Sequence, residues 1–143
     1  MPEKRNYKAL FIEDSPADVY LTKAMIGLDD IPVEAHFIKH APEALKYLSE
    51  LPEDEFPEII ITDVNMPMMN GYEFVQIYRE RFHPRHKNTL LFVSSSSIQK
   101  TDKALIEKLK IVKGYFEKPF SMEAFQKYIQ NSLETLQHIR AAA

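Results

Sequence analysis

The chain contains no cysteine, so disulfides and thiolate metal sites are excluded. Long apolar runs are missing too. The opening MPEKRNYKALFIE has no stretch long enough for a signal peptide, and no later segment could span a bilayer. Nor does one sign of charge dominate: 18 basic against 21 acidic residues give a formal net charge of -3, which provides no global basic field for nucleic acid. These absences set the expectation of a cytoplasmic protein that engages neither membrane nor, directly, nucleic acid.

What the chain does have is apolar content. At 45% of 143 residues it suffices for one domain with a full core and argues against disorder over most of the length. Residues 1–140 are read as that domain, and Ala141-Ala142-Ala143 as a vector-derived tail outside the fold.

Five short strand candidates alternate with five helical patterns. The strands are expected at Lys8–Glu13, Val33–Ile38, Ile59–Thr62, Leu90–Val93 and Gly114–Glu117. Between and after them, apolar residues recur at helical spacing: Ala17, Leu21, Ala24, Leu28; Ala44, Leu45, Leu48, Leu51; Phe74, Val75, Tyr78, Phe82; Leu105, Ile106, Leu109; and Phe125, Tyr128, Ile129, Leu133, Leu136. Such alternation predicts an α/β fold, a parallel sheet with helices on both faces. Strands one, three and four are unbroken apolar runs, as strands covered on both faces require. Strand two alternates apolar with polar, and strand five is short and flanked by Lys113 and Lys118. Edges at two and five match the order 2-1-3-4-5, in which the chain reverses between strands one and three and ligands bind outside their carboxyl ends.

That crevice collects carboxylates. Strand one ends in Glu13-Asp14 and strand three in Asp63. Acids near a helix start ordinarily serve the helix dipole. Here Ser15 already serves as N-cap, Pro16 fits the first helical position, and Asp18 sits where a capping box wants an acid. Glu13 and Asp14 therefore need another reason. An aspartate at a strand end is common in turns, which explains Asp63 alone but not three acids brought together. Their mutual repulsion and desolvation are relieved by a hard divalent cation, and an all-oxygen, partly hydrated site fits Mg²⁺ best. The backbone carbonyl of Asn65 is expected to complete the coordination, since the loop cannot become helical before Pro67. Gly71 is expected to permit a sharp turn into the third helix.

Ser94 ends strand four, and Lys118 ends strand five just before Pro119. Alone, the first would be a loop serine and the second a solvated lysine. Beside the acids they complete a set of hydroxyl donor, cation and metal that matches three phosphoryl oxygens, with a carboxylate as nucleophile for an aspartyl phosphate.

In these motifs the chain resembles the receiver domain of two-component response regulators. The likeness runs from about Lys8 to Ile139 and rests on Glu13-Asp14, Asp63 in DVNMPMMNG, Ser94, and Lys118 in KPF, with Tyr115 matching the family's switch aromatic. It implies a flavodoxin-like doubly wound sheet and Asp63 as phosphoacceptor. Asp14 and Asp63 would ligate Mg²⁺ directly, Glu13 mostly through water, and the Asn65 carbonyl would complete the protein ligands. The phosphoryl donor would be a sensor histidine kinase or a histidine phosphotransfer protein. A downstream target or a second copy would dock on helix four, strand five and helix five. The start EDSPAD, with its longer loops Leu51–Pro57 and Phe82–Asn88, is similar to stand-alone receivers, including phytochrome-associated ones. Such a protein modifies itself and is not an enzyme toward an external substrate.

Two rivals differ in kind. A phosphohydrolase of the haloacid-dehalogenase type wants its aspartate nucleophile on the first strand with a second Asp two residues on; here that partner position is Asn65. A pure interaction module would not need the intact acids, hydroxyl and lysine. Other signals read as bland: His83 and His86 as a solvated loop pair, Met66, Met68 and Met69 as core or loop packing, and Ser94–Ser97 as a mobile loop.

Overall fold

The computed structural model describes residues 6–28, 30–96, 100–118 and 122–142. Five parallel strands form one sheet in the order β2-β1-β3-β4-β5, with β1 Tyr7–Ile12, β2 Val33–Ile38, β3 Ile59–Asp63, β4 Leu90–Ser95 and β5 Val112–Glu117. Helices follow each strand: α1 Pro16–Leu28, α2 Ala41–Glu50, α3 Gly71–Arg81, α4 Lys100–Lys108 and α5 Met122–Ala142. The expected order is the one found, and strand chemistry explains it. Every residue of β3 and β4 is buried, whereas β2 and β5 alternate or are half-exposed, as edges are.

Alternation along the strands builds two cores. Leu10, Ile60, Leu91 and Val93 point to one face, where Ala44, Leu45 and Leu48 of α2, Phe74, Val75 and Tyr78 of α3, and Ile106 of α4 cover them. Ala9, Phe11, Ile59, Ile61 and Phe92 point to the other, under Met25 of α1 and Leu133 and Leu136 of α5. Among the described residues no helix is long and apolar enough to cross a membrane.

Boundaries differ from expectation where pairing outweighs side-chain pattern. β3 includes Asp63, and β4 runs two residues further through Ser95, because Asp63 pairs with Ser94 and Ser95 with Glu117. β5 begins two residues early, at Val112. Glu13 lies just past β1, although its N–H still donates to the Ile38 carbonyl at 3.0 Å. α5 continues through Ala142, in keeping with alanine's helix preference. The two long loops brace each other before β3 and β4. Phe56 stacks on His86 with centroids 3.6 Å apart, and Thr89 Oγ1 donates to the Pro57 carbonyl at 2.8 Å. His86 is therefore a packing element, which corrects its reading as solvated.

The turn into α3 also corrects an expectation. Gly71 has no left-handed backbone; that conformation falls on Met68, φ 70°, whose side chain is exposed. Close approach is what demands glycine here. A Cβ at position 71 would lie 2.6 Å from the Asp63 carbonyl oxygen and 2.8 Å from Val64 Cα, while Gly71 N donates to the Val64 carbonyl at 2.8 Å. The helix is started instead by Asn70, whose side chain accepts from Glu73 N while Glu73 returns to Asn70 N, a reciprocal box that the N-x-x-E spacing could have announced. Gly71→Ala should therefore destabilise the protein by about 1–3 kcal/mol, measured by urea unfolding. Because the clash is with Asp63's own backbone, the amide resonances of Asp63 and Val64 should shift most.

Candidate functional site

Parallel strands present their carboxyl ends along one edge, so the residues after β1, β3, β4 and β5 converge. Glu13, Asp14 and Asp63 each bring a carboxylate oxygen to within 4.8 Å of the others. Glu13 and Asp63 border a cleft of about 280 Å³, whose lining also includes Asp18, Asn65, Ser96 and Lys118. Glu13 and Asp63 are nearly buried, at 9% and 7% exposure, so their charges are taken out of water.

Lys118 is what makes that burial tolerable. Its side chain is only 7% exposed, and its ammonium pairs with Glu13 and lies 3.2 Å from both Asp63 Oδ2 and Asp18 Oδ2. Burial alone would lower its pKa, but bonding to Glu13 and the fields of Asp63, Glu13 and Asp18 outweigh this, so the pKa is raised and the charge is secure. The backbone is fixed as well, with Lys118 N donating to the Ser95 carbonyl at 2.8 Å. Pro119 and Phe120 of the KPF motif lie outside the described residues, as does Ser97.

The remaining predicted residues fall as follows. Asn65 N donates to Asp63 Oδ1 at 3.4 Å, and Asn65 Nδ2 donates to Ser95 Oγ at 3.4 Å. Ser94 is buried and pairs with Asp63 across the ladder, while Ser96 lies at the cleft wall. Strand alternation puts Ser95 on the side of Val93 and Tyr115, which pair with each other. Tyr115 packs against the α2–α4 core with Lys103 Nζ 5.0 Å from its ring centroid, and its hydroxyl is buried without a hydrogen-bond partner among the described residues.

Asp18 was assigned to the helix cap, and that is corrected. Ser15 Oγ does accept from Asp18 N at 3.3 Å, but Ser15 N donates to Glu13 Oε1 at 3.2 Å, and the Asp18 carboxylate turns to Lys118. Glu13 thus takes part in the cap that seemed complete without it.

Three partly desolvated carboxylates with an all-oxygen donor set fit a hard divalent cation, so the cluster can coordinate one. Their protonation carries the strain of having none. Burial, opposed by Lys118, pushes Glu13 from 4.5 to about 7, and burial likewise raises Asp63, against Lys118 and the Asn65 N–H and with help from Asp14. For a pKa raised on folding, the stabilisation is complete below the unfolded value and is lost as pH rises through the folded one. Between pH 4.5 and about 7 the metal-free protein should therefore lose about 1–3 kcal/mol relative to Glu13→Gln. Saturating divalent metal should remove the difference. Urea unfolding at stepped pH, with chelator or metal, measures it; parallel profiles for the two proteins without metal would contradict the assignment.

Comparison with known proteins agrees with this geometry. The family model described as response regulator receiver domain matches residues 9–130. A two-component response regulator from Cytophaga hutchinsonii superposes with TM-score 0.78 at 27% identity, covering 91% of this chain and 99% of that one. A phosphorylated cyanobacterial phytochrome response regulator, RcpA, shares the fold, with TM-score 0.72 at 24% identity and 88% and 90% coverage. Histidine kinase P4 of Formosa agariphila is 30% identical over 144 residues, 97% of this chain. The chain spans only 15%, 9% and 25% of the length of the curated relatives it matches. With its sheet order, its acid trio and the model match over most of its length, the chain belongs to the response regulator receiver domain family.

Proposed function

We propose that this chain is a phosphoaccepting switch that takes a phosphoryl group onto Asp63 from a sensor histidine kinase or a histidine phosphotransfer protein, with Mg²⁺ as its cation. The observation that carries the reading is the buried Lys118 ammonium, 3.2 Å from the Asp63 carboxylate and also paired to Glu13. A positive charge held at that distance in a partly desolvated site favours the equatorial oxygens of a phosphoryl group in transit.

An Asp63 oxygen attacks phosphorus as the P–N bond of the phosphohistidine breaks. The bonding pair leaves with the imidazole, which gains a proton from solvent, and an acyl phosphate remains. Lys118 holds one phosphoryl oxygen and a hydroxyl of the serine run another. Ser94 is the assigned donor because it flanks Asp63 in the ladder; Ser96, at the cleft wall, is its rival. Glu13, Asp14, Asp63 and the Asn65 carbonyl would hold the Mg²⁺, which supplies neutralisation of charge at the transferring group when bound. Water later attacks phosphorus, the acyl P–O bond breaks, and the carboxylate returns with release of inorganic phosphate. The chain modifies only itself, so it is not an enzyme toward an external substrate.

The switch runs through Tyr115. A serine hydroxyl drawn toward the phosphoryl oxygens moves the end of β4 and changes the space beside β5, where the Tyr115 hydroxyl, without a partner among the described residues, makes the present arrangement easy to leave. The altered α4-β5-α5 surface would then engage a downstream protein or a second copy.

Acetyl phosphate with Mg²⁺ should label Asp63 alone, the label should be cleaved by hydroxylamine, and Asp63→Asn should abolish it. Lys118→Ala should slow labelling about 100-fold. A hydroxylamine-resistant label would point to the serines and reject the acyl phosphate. Amide shifts with beryllofluoride test the switch: in wild type they should reach Tyr115 and α4, and in Ser94→Ala they should stop at the loops around Asp63. If Ser96→Ala alone has that effect, the hydroxyl role passes to Ser96.

A further inference from the structure

Asp18 occupies the third position of α1, three residues after its cap. An acid there ordinarily returns to the N–H of the capping residue. That N–H is already taken by Glu13, so the Asp18 side chain is free for another partner without weakening the helix start. The rest of the residue stays in the helix: its N–H meets Ser15 Oγ, and its carbonyl accepts from Thr22 Oγ1 at 2.8 Å. The carboxylate crosses to a residue 100 positions away, placing Oδ2 3.2 Å from Lys118 Nζ.

The three acids that pair with Lys118 among the described residues are not equivalent. Glu13 and Asp63 belong to the trio whose oxygens converge within 4.8 Å; Asp18 does not. A divalent cation on the trio draws those two carboxylates toward itself and repels the nearby ammonium. A lysine has a long flexible stem and a strongly hydrated head, so on losing its counter-charges it tends to swing toward water. Among the described partners, Asp18 is the one outside the trio that a cation would draw together. At 26% exposure its charge is partly solvated, which keeps the pair from requiring two fully desolvated ions.

We propose that Asp18 is a positioning residue: it anchors Lys118 in the cleft when the neighbouring acids turn to a divalent cation, so that the ammonium stays aimed at Asp63. The anchoring itself needs only the metal; its consequence for phosphoryl transfer rests on the function proposed above.

The test uses the full chain with ¹⁵N-labelled lysine, with the Lys118 ammonium signal identified by its absence in Lys118→Ala. A lysine ammonium gives such a signal only while it is held away from rapid exchange with water. In wild type the signal should persist at saturating Mg²⁺. In Asp18→Asn it should be present without metal, when Glu13 and Asp63 still hold Lys118, and be lost when Mg²⁺ saturates. Asp18→Glu, with its longer reach, should restore it. Labelling of Asp63 by acetyl phosphate at saturating Mg²⁺ should slow about tenfold in Asp18→Asn, equivalent to about 1.4 kcal/mol, and recover in Asp18→Glu. General damage to α1 would disturb the amide spectrum with and without metal alike, whereas the anchor predicts a change that appears only on metal addition. The proposal is overturned if the Asp18→Asn signal survives Mg²⁺, if that variant labels as fast as wild type or faster, if the wild-type signal itself vanishes with Mg²⁺, or if the wild type binds no Mg²⁺. A wild type that keeps its signal but accepts no phosphoryl group would reject the proposed function while leaving the anchor standing.

Discussion

One ammonium stands among the carboxylates of this cleft, and the arrangement of the site depends on that imbalance. Lys118 touches Glu13, Asp18 and Asp63, while Asp14 completes the acid trio without it. Desolvation raises the protonation of Glu13 and Asp63, and Lys118 only partly offsets it. The folded chain thus gathers acids that are costly to ionise at the ends of its central strands, a setting that favours a hard cation. A site in this condition spends some stability on readiness to bind.

The scaffold holds that charge in place through the backbone as much as through side chains. Asp63 is the last residue of a fully buried strand, and its carbonyl lies where any side chain at position 71 would have to go. The start of α3, fixed by Asn70 and Glu73, therefore abuts the backbone of Asp63 directly. Lys118 is held in the same way, by its N–H to Ser95. Before β3 and β4, the Phe56–His86 stack and the Thr89–Pro57 hydrogen bond tie the two long loops together.

Tyr115 lies on the strand next to the serine run. It pairs with Val93, two residues before Ser95, whose hydroxyl in turn accepts from Asn65. The ring is held under Lys103 while the hydroxyl lacks a partner among the described residues. One interaction favours this position and one opposes it, which is the balance that a small input can shift.

The sheet order was legible because burial writes itself into composition. Unbroken apolar runs such as Ile59-Ile60-Ile61 can lie only in central strands, and the Val33–Phe37 alternation only at an edge. The acids were legible because parallel strands place every strand end on one side, so Glu13, Asp14, Asp63 and Lys118 met as expected. Side-chain choice among local and distant partners was not legible. Asp18 had a plausible partner three residues away and took one 100 residues away, because Glu13 had already filled the local role. Gly71 carried the signature of a turn, yet its requirement is the approach of Asp63, which no local pattern encodes. The serine run has one chemistry in four adjacent positions, so only pairing could tell that Ser94 faces Asp63, Ser95 faces Asn65, and Ser96 reaches the cleft. Sequence by itself determined which residue types gather at the strand ends, since periodicity and burial are properties of the chain. Tertiary structure alone decided which of them touch, because each polar group takes the best partner left unclaimed by its neighbours.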